Sequence, residues 1–257
     1  MREILSHLPA EAVVLDLGSS GGSFDADSYP FSTVRVDLRA IQGDRFVQAD
    51  AARLPFRSYS FDAVICNHGL EHLVELESSL REIGRVVKPN GALFVAIPDS
   101  STLTDKLYRW AYNGGGHVNP FREPNELAVV LTRLSGLPHI ATRILHSSFS
   151  YLNRRNFQGG VPRRAALLSV GGEASLAILS SVARTCDRRF GTRMSVYGWA
   201  MYFGRVDEEI DLTASENVCI RCGQGHSRDC LESLQIVRSR QGIRYYRCPA
   251  CQAFNLM

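Results

Sequence analysis

The sequence predicts an α/β fold on a mostly parallel sheet, with a small cysteine-bearing tail behind it. Three observations carry this. Short apolar, β-branched runs such as Val13-Val-Leu-Asp-Leu17 recur along residues 12–97, as buried parallel strands do. Three successive strand-like runs close on or near a carboxylate, at Asp16, Asp37 and Asp50. Residues 218–257 hold two Cys-x-x-Cys pairs, Cys219/Cys222 and Cys248/Cys251, with 25 residues between Cys222 and Cys248.

The stretch Ala12-Val-Val-Leu-Asp-Leu-Gly-Ser-Ser-Gly-Gly22 organises the chain. Its apolar run meets Asp16 and passes into Gly18, Ser19, Ser20, Gly21 and Gly22. A glycine-rich turn at the C-terminal end of a first strand lets backbone approach a ligand closely. In open α/β sheets the ligand crevice lies along that edge. Asp37 closes Thr33-Val-Arg-Val-Asp37, where a carboxylate can accept hydrogen bonds from both hydroxyls of a ribose. Asp50 closes Arg45-Phe-Val-Gln-Ala-Asp50, where a carboxylate can receive an adenine amino group. Together the three acids predict a nucleoside site. They do not predict a dinucleotide site, because Gly18-Ser-Ser-Gly-Gly-Ser23 does not fit G-x-G-x-x-G and no P-loop lysine is present.

The remaining elements follow in order. Residues 2–8 predict a short helix ended by Pro9, and Phe24–Tyr29 is a candidate for one brief helix. The six residues between Leu38 and Arg45 are too few for a crossover helix, which takes about a dozen, so the second crossover is expected as a loop. Asp62–Cys66 reads as a buried strand, with Asn67-His-Gly-Leu-Glu-His-Leu73 at its C-terminal end facing the same crevice. Glu75–Val87 carries Leu76, Leu80, Ile83 and Val87 at helical spacing, and Lys88-Pro-Asn-Gly91 stops it. Ala92–Ile97 is the next strand. Residues 152–190 begin basic and then turn apolar and helix-prone over Ala165–Ala183, with an interruption at Gly171-Gly172-Glu173. Ser195–Phe203 is a final strand with aromatic alternation, and 207–217 reads as an acidic linker.

Composition bounds the function. With 45% hydrophobic and 21% charged residues the chain is of ordinary globular type. Its net charge of +3 is too small to argue for nucleic acid. No apolar run approaches a membrane span, and the first nine residues lack the apolar core of a secretory signal. The expectation is a cytoplasmic protein without a transmembrane segment. In that setting seven cysteines point to thiols and metal rather than disulfides.

The ordered set Leu15-Asp-Leu-Gly-Ser-Ser-Gly-Gly22, Val36-Asp37, Ala49-Asp50, Leu54-Pro-Phe56, Ser60-Phe-Asp-Ala-Val64, Leu70-Glu-His-Leu73 and Glu82-Ile-Gly-Arg-Val-Val-Lys-Pro-Asn-Gly91 resembles the class I S-adenosylmethionine-dependent methyltransferases. Within them it looks like the branch that holds quinone and small-molecule methyltransferases. The resemblance implies a Rossmann-like, seven-stranded sheet with helices on both faces, closing strands near 141–150 and 195–206, and a catalytic domain over residues 1–206. It implies cofactor contacts at Asp16, Gly18, Ser20, Gly22, Asp37, Asp50, Ala51 and Asn67. Ser20 stands where the family usually carries a second glycine. The Asn-Pro-Pro-Tyr-type motif of amino-group acceptors is absent, with Cys66-Asn-His-Gly69 in its place, so oxygen is favoured as the acceptor atom.

Methyl transfer from a sulfonium is an in-line displacement with a good leaving group, so positioning supplies much of the rate. A base is needed only when the acceptor is a hydroxyl or an acidic carbon. His72 and His117 are the candidates, with His68 beside them, because imidazole titrates near neutrality. His117 follows Gly114-Gly-Gly116, a stretch suited to a lid, and Tyr108, Trp110 and Tyr112 are candidate walls for the acceptor.

In the tail, two Cys-x-x-Cys turns can aim four thiolates at one tetrahedral ion, Cys219, Cys222, Cys248 and Cys251. Ser233–Arg238 and Ile243–Arg247 alternate like the strands of a hairpin, and the tail over 218–257 resembles a zinc ribbon. His226 and Cys230 are competing ligands. The ribbon is expected to stabilise the enzyme or dock a protein partner. The function expected is methyl transfer to a small-molecule, sugar or lipid-linked acceptor. The alternatives are a zinc-containing scaffold on a methyltransferase-like sheet, and an RNA methyltransferase, although nucleic acid is the disfavoured partner.

Overall fold

The computed structural model describes residues 1–18, 22–40, 45–147, 149–153, 172–207, 217–221, 225–249 and 251–257. Seven strands form the main sheet: β1 (Val13–Leu17), β2 (Ser32–Asp37), β3 (Phe46–Gln48), β4 (Phe61–Asn67), β5 (Val87–Pro98), β6 (His139–His146) and β7 (Val196–Gly204). Their order is β3-β2-β1-β4-β5-β7-β6. The pairs β1–β2, β2–β3, β1–β4 and β4–β5 are all parallel. The chain winds outward from β1 in both directions, so the switch point lies between β1 and β4. The longer helices are α1 (Arg2–Leu5), α2 (Leu76–Val86), α3 (Leu103–Ala111), α4 (Pro124–Ser135), α5 (Glu173–Phe190) and α6 (Arg228–Ser233). Among the described residues no helix is long and apolar enough to cross a membrane.

The chain divides into two compact units, residues 1–98, 117–143 and 199–212 in one, and 99–116, 144–198 and 213–257 in the other. The first holds β1 to β5 and one continuous core. Leu80, Ile83 and Val86 form the buried stripe of α2, and Leu127, Ala128 and Leu131 that of α4. They pack with Leu15, Val64, Leu93, Met201 and Phe203 of the sheet. Each fully buried side chain of this kind contributes about 1.5–3 kcal/mol.

Two of the recurring motifs meet in space. Leu54 N donates to Glu82 Oε2 at 2.8 Å. Arg85 reaches both oxygens of Glu82, at 2.6 and 2.7 Å, and also donates to the carbonyls of Phe56 (2.7 Å) and Leu54 (3.0 Å). The Leu-Pro-Phe turn is thus strapped to the end of α2 by one acid–arginine pair. This pair fixes the chain as it enters β4, whose far end lines the crevice.

The structure differs from the sequence expectations in four places. Phe24–Tyr29 holds only a single 3-10 turn, Ala26–Ser28. The rings of Phe24, Tyr29 and Phe31 pack on one another at 5.1–6.4 Å, with Tyr29 extended, which ends the turn early. The Lys88-Pro-Asn-Gly91 stretch does stop α2, but it enters the sheet at once: β5 begins at Val87, paired to Phe61. Gly172, read as part of an interruption, is the N-cap of α5, which runs on to Phe190, while residues 154–171 lie outside the described set. In the tail, Ser233 ends a helix instead of opening a strand. Ser227 caps α6 by accepting from Cys230 N at 3.1 Å, and the first strand of the hairpin covers only Arg238–Arg240.

The second unit has its own core of Phe149, Leu152, Leu176, Ala177, Ala183 and Ile220. Asp187 near the end of α5 gathers four donors: Met194 N, Thr192 Oγ1, Ser195 N and Ser195 Oγ, at 2.6–2.7 Å. Burial alone would raise this carboxyl, but the hydrogen bonds outweigh it and hold it below the usual range. A depressed folded-state value means stability that is fully present above the unfolded value, about 3.9, and lost as pH falls through the folded one. Asp187→Asn should therefore unfold at a lower temperature than the parent at pH 7, with the gap closing in acid. A gap that stays constant between pH 7 and pH 3 would contradict this role.

Candidate functional site

The crevice side of the first unit is built from strand ends. Because β1, β2, β3 and β4 run parallel, their C-terminal ends share one edge. Gly18 follows β1 with φ +67°, a conformation that disfavours a side chain. Its N–H donates to Val36 O at 2.8 Å, which ties the turn to β2. A Cβ on Gly18 would stand 3.5 Å from Gly69 Cα, so the turns after β1 and β4 meet backbone to backbone. Gly69 is glycine for a second reason, since a Cβ there would press on Cys66 Sγ at 2.9 Å. Cys66 itself is buried, and burial pushes its thiol far up.

The predicted acids sit around this contact. Asp16 is fully buried; its Oδ2 accepts Ser23 N at 2.8 Å, and its Oδ1 has no partner among the described residues. Burial raises its carboxyl, against the opposing pull of Ser23 and Arg35. Asp37 ends β2, with Oδ1 accepting Arg39 N at 3.0 Å. Asp50 lies just past β3, and its Oδ1 accepts Ala52 N at 2.9 Å, so one oxygen already turns the chain. Ala51 is buried beside it, and Asn67 is the last residue of β4. Gly22 stands against the Arg35 guanidinium. Ser20 lies outside the described residues. The structure thus brings Asp16, Gly18, Asp37, Asp50, Ala51 and Asn67 to one edge of one sheet.

Immediately after Gly69 comes the 3-10 turn Leu70–His72. The segment after Gly116 returns to it: Val118 N and Asn119 N both donate to Glu71 O, at 2.8 and 3.1 Å. Asn119 Nδ2 donates to the carbonyls of Leu70 (2.9 Å) and Leu73 (2.7 Å). This clamp brings His117 edge-to-face onto His72, with ring centroids 5.0 Å apart. Glu71, 1% exposed, joins them, and its Oε1 lies 3.8 Å from His68 Nδ1. His68 adopts a left-handed φ of +55°. Desolvation, then His117 and His72, hold the His68 imidazole below its usual value. The sequence expectation named the three histidines as candidates and held Glu71 only within the Leu70-Glu-His-Leu73 motif, without a role in the site.

Tyr108 and Tyr112 belong to the second unit. They stack at 5.0 Å, Tyr112 Oη donates to Tyr151 O at 2.8 Å, and Tyr151 Oη to Thr104 O at 3.0 Å. Trp110 is 46% exposed.

The tail, also in the second unit, brings Cys219, Cys248 and Cys251 together, with their sulfurs within 4.8 Å of one another and Cys219 Sγ 3.5 Å from Cys251 Sγ. Arg221 N and Asn255 Nδ2 point at Cys219 Sγ at 3.4 and 3.6 Å, as N–H donors do around a thiolate. His226 Nε2 stands 3.5 Å from Cys248 Sγ. Cys222 lies outside the described residues, and Cys230 is exposed. Around the thiols are the hairpin β8 (Asn217–Val218) and β9 (Gly225–His226), and the antiparallel β10 (Arg238–Arg240), β11 (Ile243–Arg247) and β12 (Phe254–Leu256).

Comparison with known proteins agrees with the methyltransferase-like sheet. A family model described as a methyltransferase domain matches residues 15–95. A ubiquinone/menaquinone biosynthesis C-methyltransferase UbiE of Rhizobium etli is 29% identical over 161 residues, 59% of this chain and 60% of that protein. A demethylmenaquinone methyltransferase of Clavibacter sepedonicus is 37% identical over 100 residues, 38% of this chain and 40% of that one. The chain thus spans about 60% of the length of the first of these relatives. Among solved structures, a SAM-dependent methyltransferase from Archaeoglobus fulgidus superposes with a TM-score of 0.54 at 17% identity, over 79% of this chain and 90% of that one. The [4+2]-cyclase SpnF gives 0.51 at 19% identity, over 79% and 78%. In sequence over residues 15–95, and in fold over some four fifths of its length, the chain is similar to the class I S-adenosylmethionine-dependent methyltransferases.

Proposed function

We propose that the protein transfers a methyl group from S-adenosylmethionine to a small-molecule acceptor bearing an ionisable hydroxyl. The observation that carries this is the row of carboxylates, Asp16, Asp37 and Asp50, at three neighbouring strand ends around the Gly18–Gly69 contact. Asp37 accepts the ribose hydroxyls, and Asp50 with Ala51 frames the adenine. The orphaned Oδ1 of Asp16 supports a place for the cationic amino-acid end. Gly18 and Gly22 flank the first turn, the ligand lies across it with Asn67 at its side, and Ser20 is a further cofactor contact. Bound S-adenosylmethionine supplies the electrophilic methyl. The chain aligns the acceptor and gathers its proton at His72 and His117, leaving an oxygen nucleophile. The curated relatives, named for C-methylation and quinone biosynthesis, favour a second reading in which a ring carbon next to that hydroxyl takes the methyl.

We read residues 1–206 as the catalytic domain, 207–217 as a linker, and 218–257 as a zinc ribbon. The three gathered thiols and the N–H donors on Cys219 fit a structural zinc ion held by Cys219, Cys222, Cys248 and Cys251. The ribbon steadies the enzyme or docks a protein. We place the protein in the cytoplasm.

Calorimetric titration with S-adenosylmethionine and S-adenosylhomocysteine tests this. Binding of both is expected. Asp37→Ala should weaken it roughly tenfold to a hundredfold, the value of losing hydrogen bonds worth about 1.5–3 kcal/mol to a charged group. No binding by a folded parent protein would favour the scaffold reading. Unchanged affinity in the variant would misplace the ribose.

A further inference from the structure

We propose that Glu71, His72 and His117 form a second metal site, one that takes a divalent first-row ion such as Mn²⁺, Fe²⁺, Co²⁺ or Zn²⁺. The inference extends the methyltransferase reading, because it assigns the ion to the acceptor side of the crevice. One carboxylate and two imidazoles are a ligand set that suits these ions and leaves positions open. The three side chains offer ligand atoms that all lie within 4.8 Å of one another. Coordination at about 2.0–2.2 Å brings ligand atoms to roughly 3–3.5 Å apart, a closure within reach of small side-chain rotations.

The backbone has already assembled the site. His117 and the Glu71–His72 turn are far apart in sequence, and the main-chain bonds from Val118 and Asn119 to Glu71 O fasten them together. The two bonds from Asn119 Nδ2 secure the same turn from its other side. The clamp works through main-chain carbonyls and leaves the three ligand side chains to face each other. Glu71 is buried while His72 is exposed, so the set has a closed wall and an open mouth. His68, with Nδ1 3.8 Å from Glu71 Oε1, stands behind the carboxylate as an orienting neighbour.

With an acceptor hydroxyl in an open position, the ion favours the oxyanion over the hydroxyl, and the proton passes to solvent. The sulfonium S–CH3 bond then breaks as the bond from acceptor oxygen or ring carbon to the methyl forms. Its electron pair returns to sulfur, and no electrons are exchanged with the ion. In the loaded site His72 and His117 hold the ion, and the proton that they would otherwise take passes to solvent.

The thiol cluster of the tail complicates a zinc measurement, so the probe is Mn²⁺, which prefers oxygen and nitrogen over thiolate. Electron paramagnetic resonance of the whole 257-residue chain should show about one Mn²⁺ bound per chain. His72→Ala and His117→Ala should each weaken that binding at least tenfold, while Cys248→Ser and the exposed His139→Ala keep it. No Mn²⁺ binding by the parent, or binding unaffected by both histidine variants, overturns the site. S-adenosylhomocysteine titration of the same samples separates the two readings. Mn²⁺ bound without S-adenosylhomocysteine leaves the ion and removes the methyltransferase. S-adenosylhomocysteine bound without Mn²⁺ removes only the ion.

Discussion

Cys248→Ser should release one equivalent of zinc from the protein and unravel its tail. Outside the thiol cluster, Ile220 ties the tail to the core of the second unit and Arg221 pairs with Glu173. The tail's strands run two to five residues, and its buried cluster around the thiols is Cys219, Cys248 and Ala253. A fold of this size cannot bury enough apolar surface to stand by itself. Structural zinc in such peptides is worth about 10–16 kcal/mol of apparent folding free energy at pH 7. Cys248 is fully buried, its N–H donates to Ala253 O at 2.9 Å, and its sulfur faces His226, so removing the thiolate strikes the centre of the cluster. Metal analysis, with proteolysis of residues 217–257 as the second readout, checks it. Cys230→Ser is the control: Cys230 is exposed, and its backbone N–H already serves the α6 cap. Zinc content equal to that of the parent in Cys248→Ser would sink the thiolate site.

Legibility in the sequence followed the range of the interaction that decides each feature. The strand ends at Asp16, Asp37 and Asn67 were readable because a buried parallel strand is an apolar run and the crevice lies where the run stops. The helix α2 was readable from its stripe of Leu76, Leu80 and Ile83. What escaped was settled at a distance or by competing local chemistry. Glu71 becomes part of a cluster only because Asn119, nearly 50 residues on, bonds to both ends of its turn. No periodicity announces such a closure. Ser233–Arg238 alternates like a strand, yet Ser227 offers a cap and α6 forms up to Ser233. The motif Leu54-Pro-Phe56 was recognisable by resemblance, but its reason was not. That reason is the fork of Arg85 and Glu82, which holds its backbone from 28 to 31 residues away.

Gly84→Ala should destabilise the protein, and Gly84→Leu should leave it poorly folded. The first expectation runs against helix propensity, which favours alanine over glycine inside a helix by about 1 kcal/mol. Packing decides the sign. A Cβ at Gly84 on α2 would stand 2.6 Å from Ser135 Cα, 2.7 Å from Ser135 O and 2.8 Å from Leu134 O on α4. These are backbone atoms, so no side chain can swing aside and the helices must separate. Ser135 is also pinned, its Oγ donating to Leu131 O at 2.6 Å and accepting Leu137 N at 3.2 Å. Separation would loosen Leu80 and Ile83 from Leu127 and Leu131 in the same core. Overpacking of this kind costs about 1–3 kcal/mol for a small addition and more for a large one, which exceeds the propensity gain. The cost should also reach the crevice, because α2 carries the Glu82–Arg85 pair that sets the entry to β4. Denaturant unfolding of the two variants measures the first effect, and S-adenosylhomocysteine affinity of Gly84→Ala the second. A Gly84→Ala protein more stable than the parent would mean that α2 and α4 are free to part.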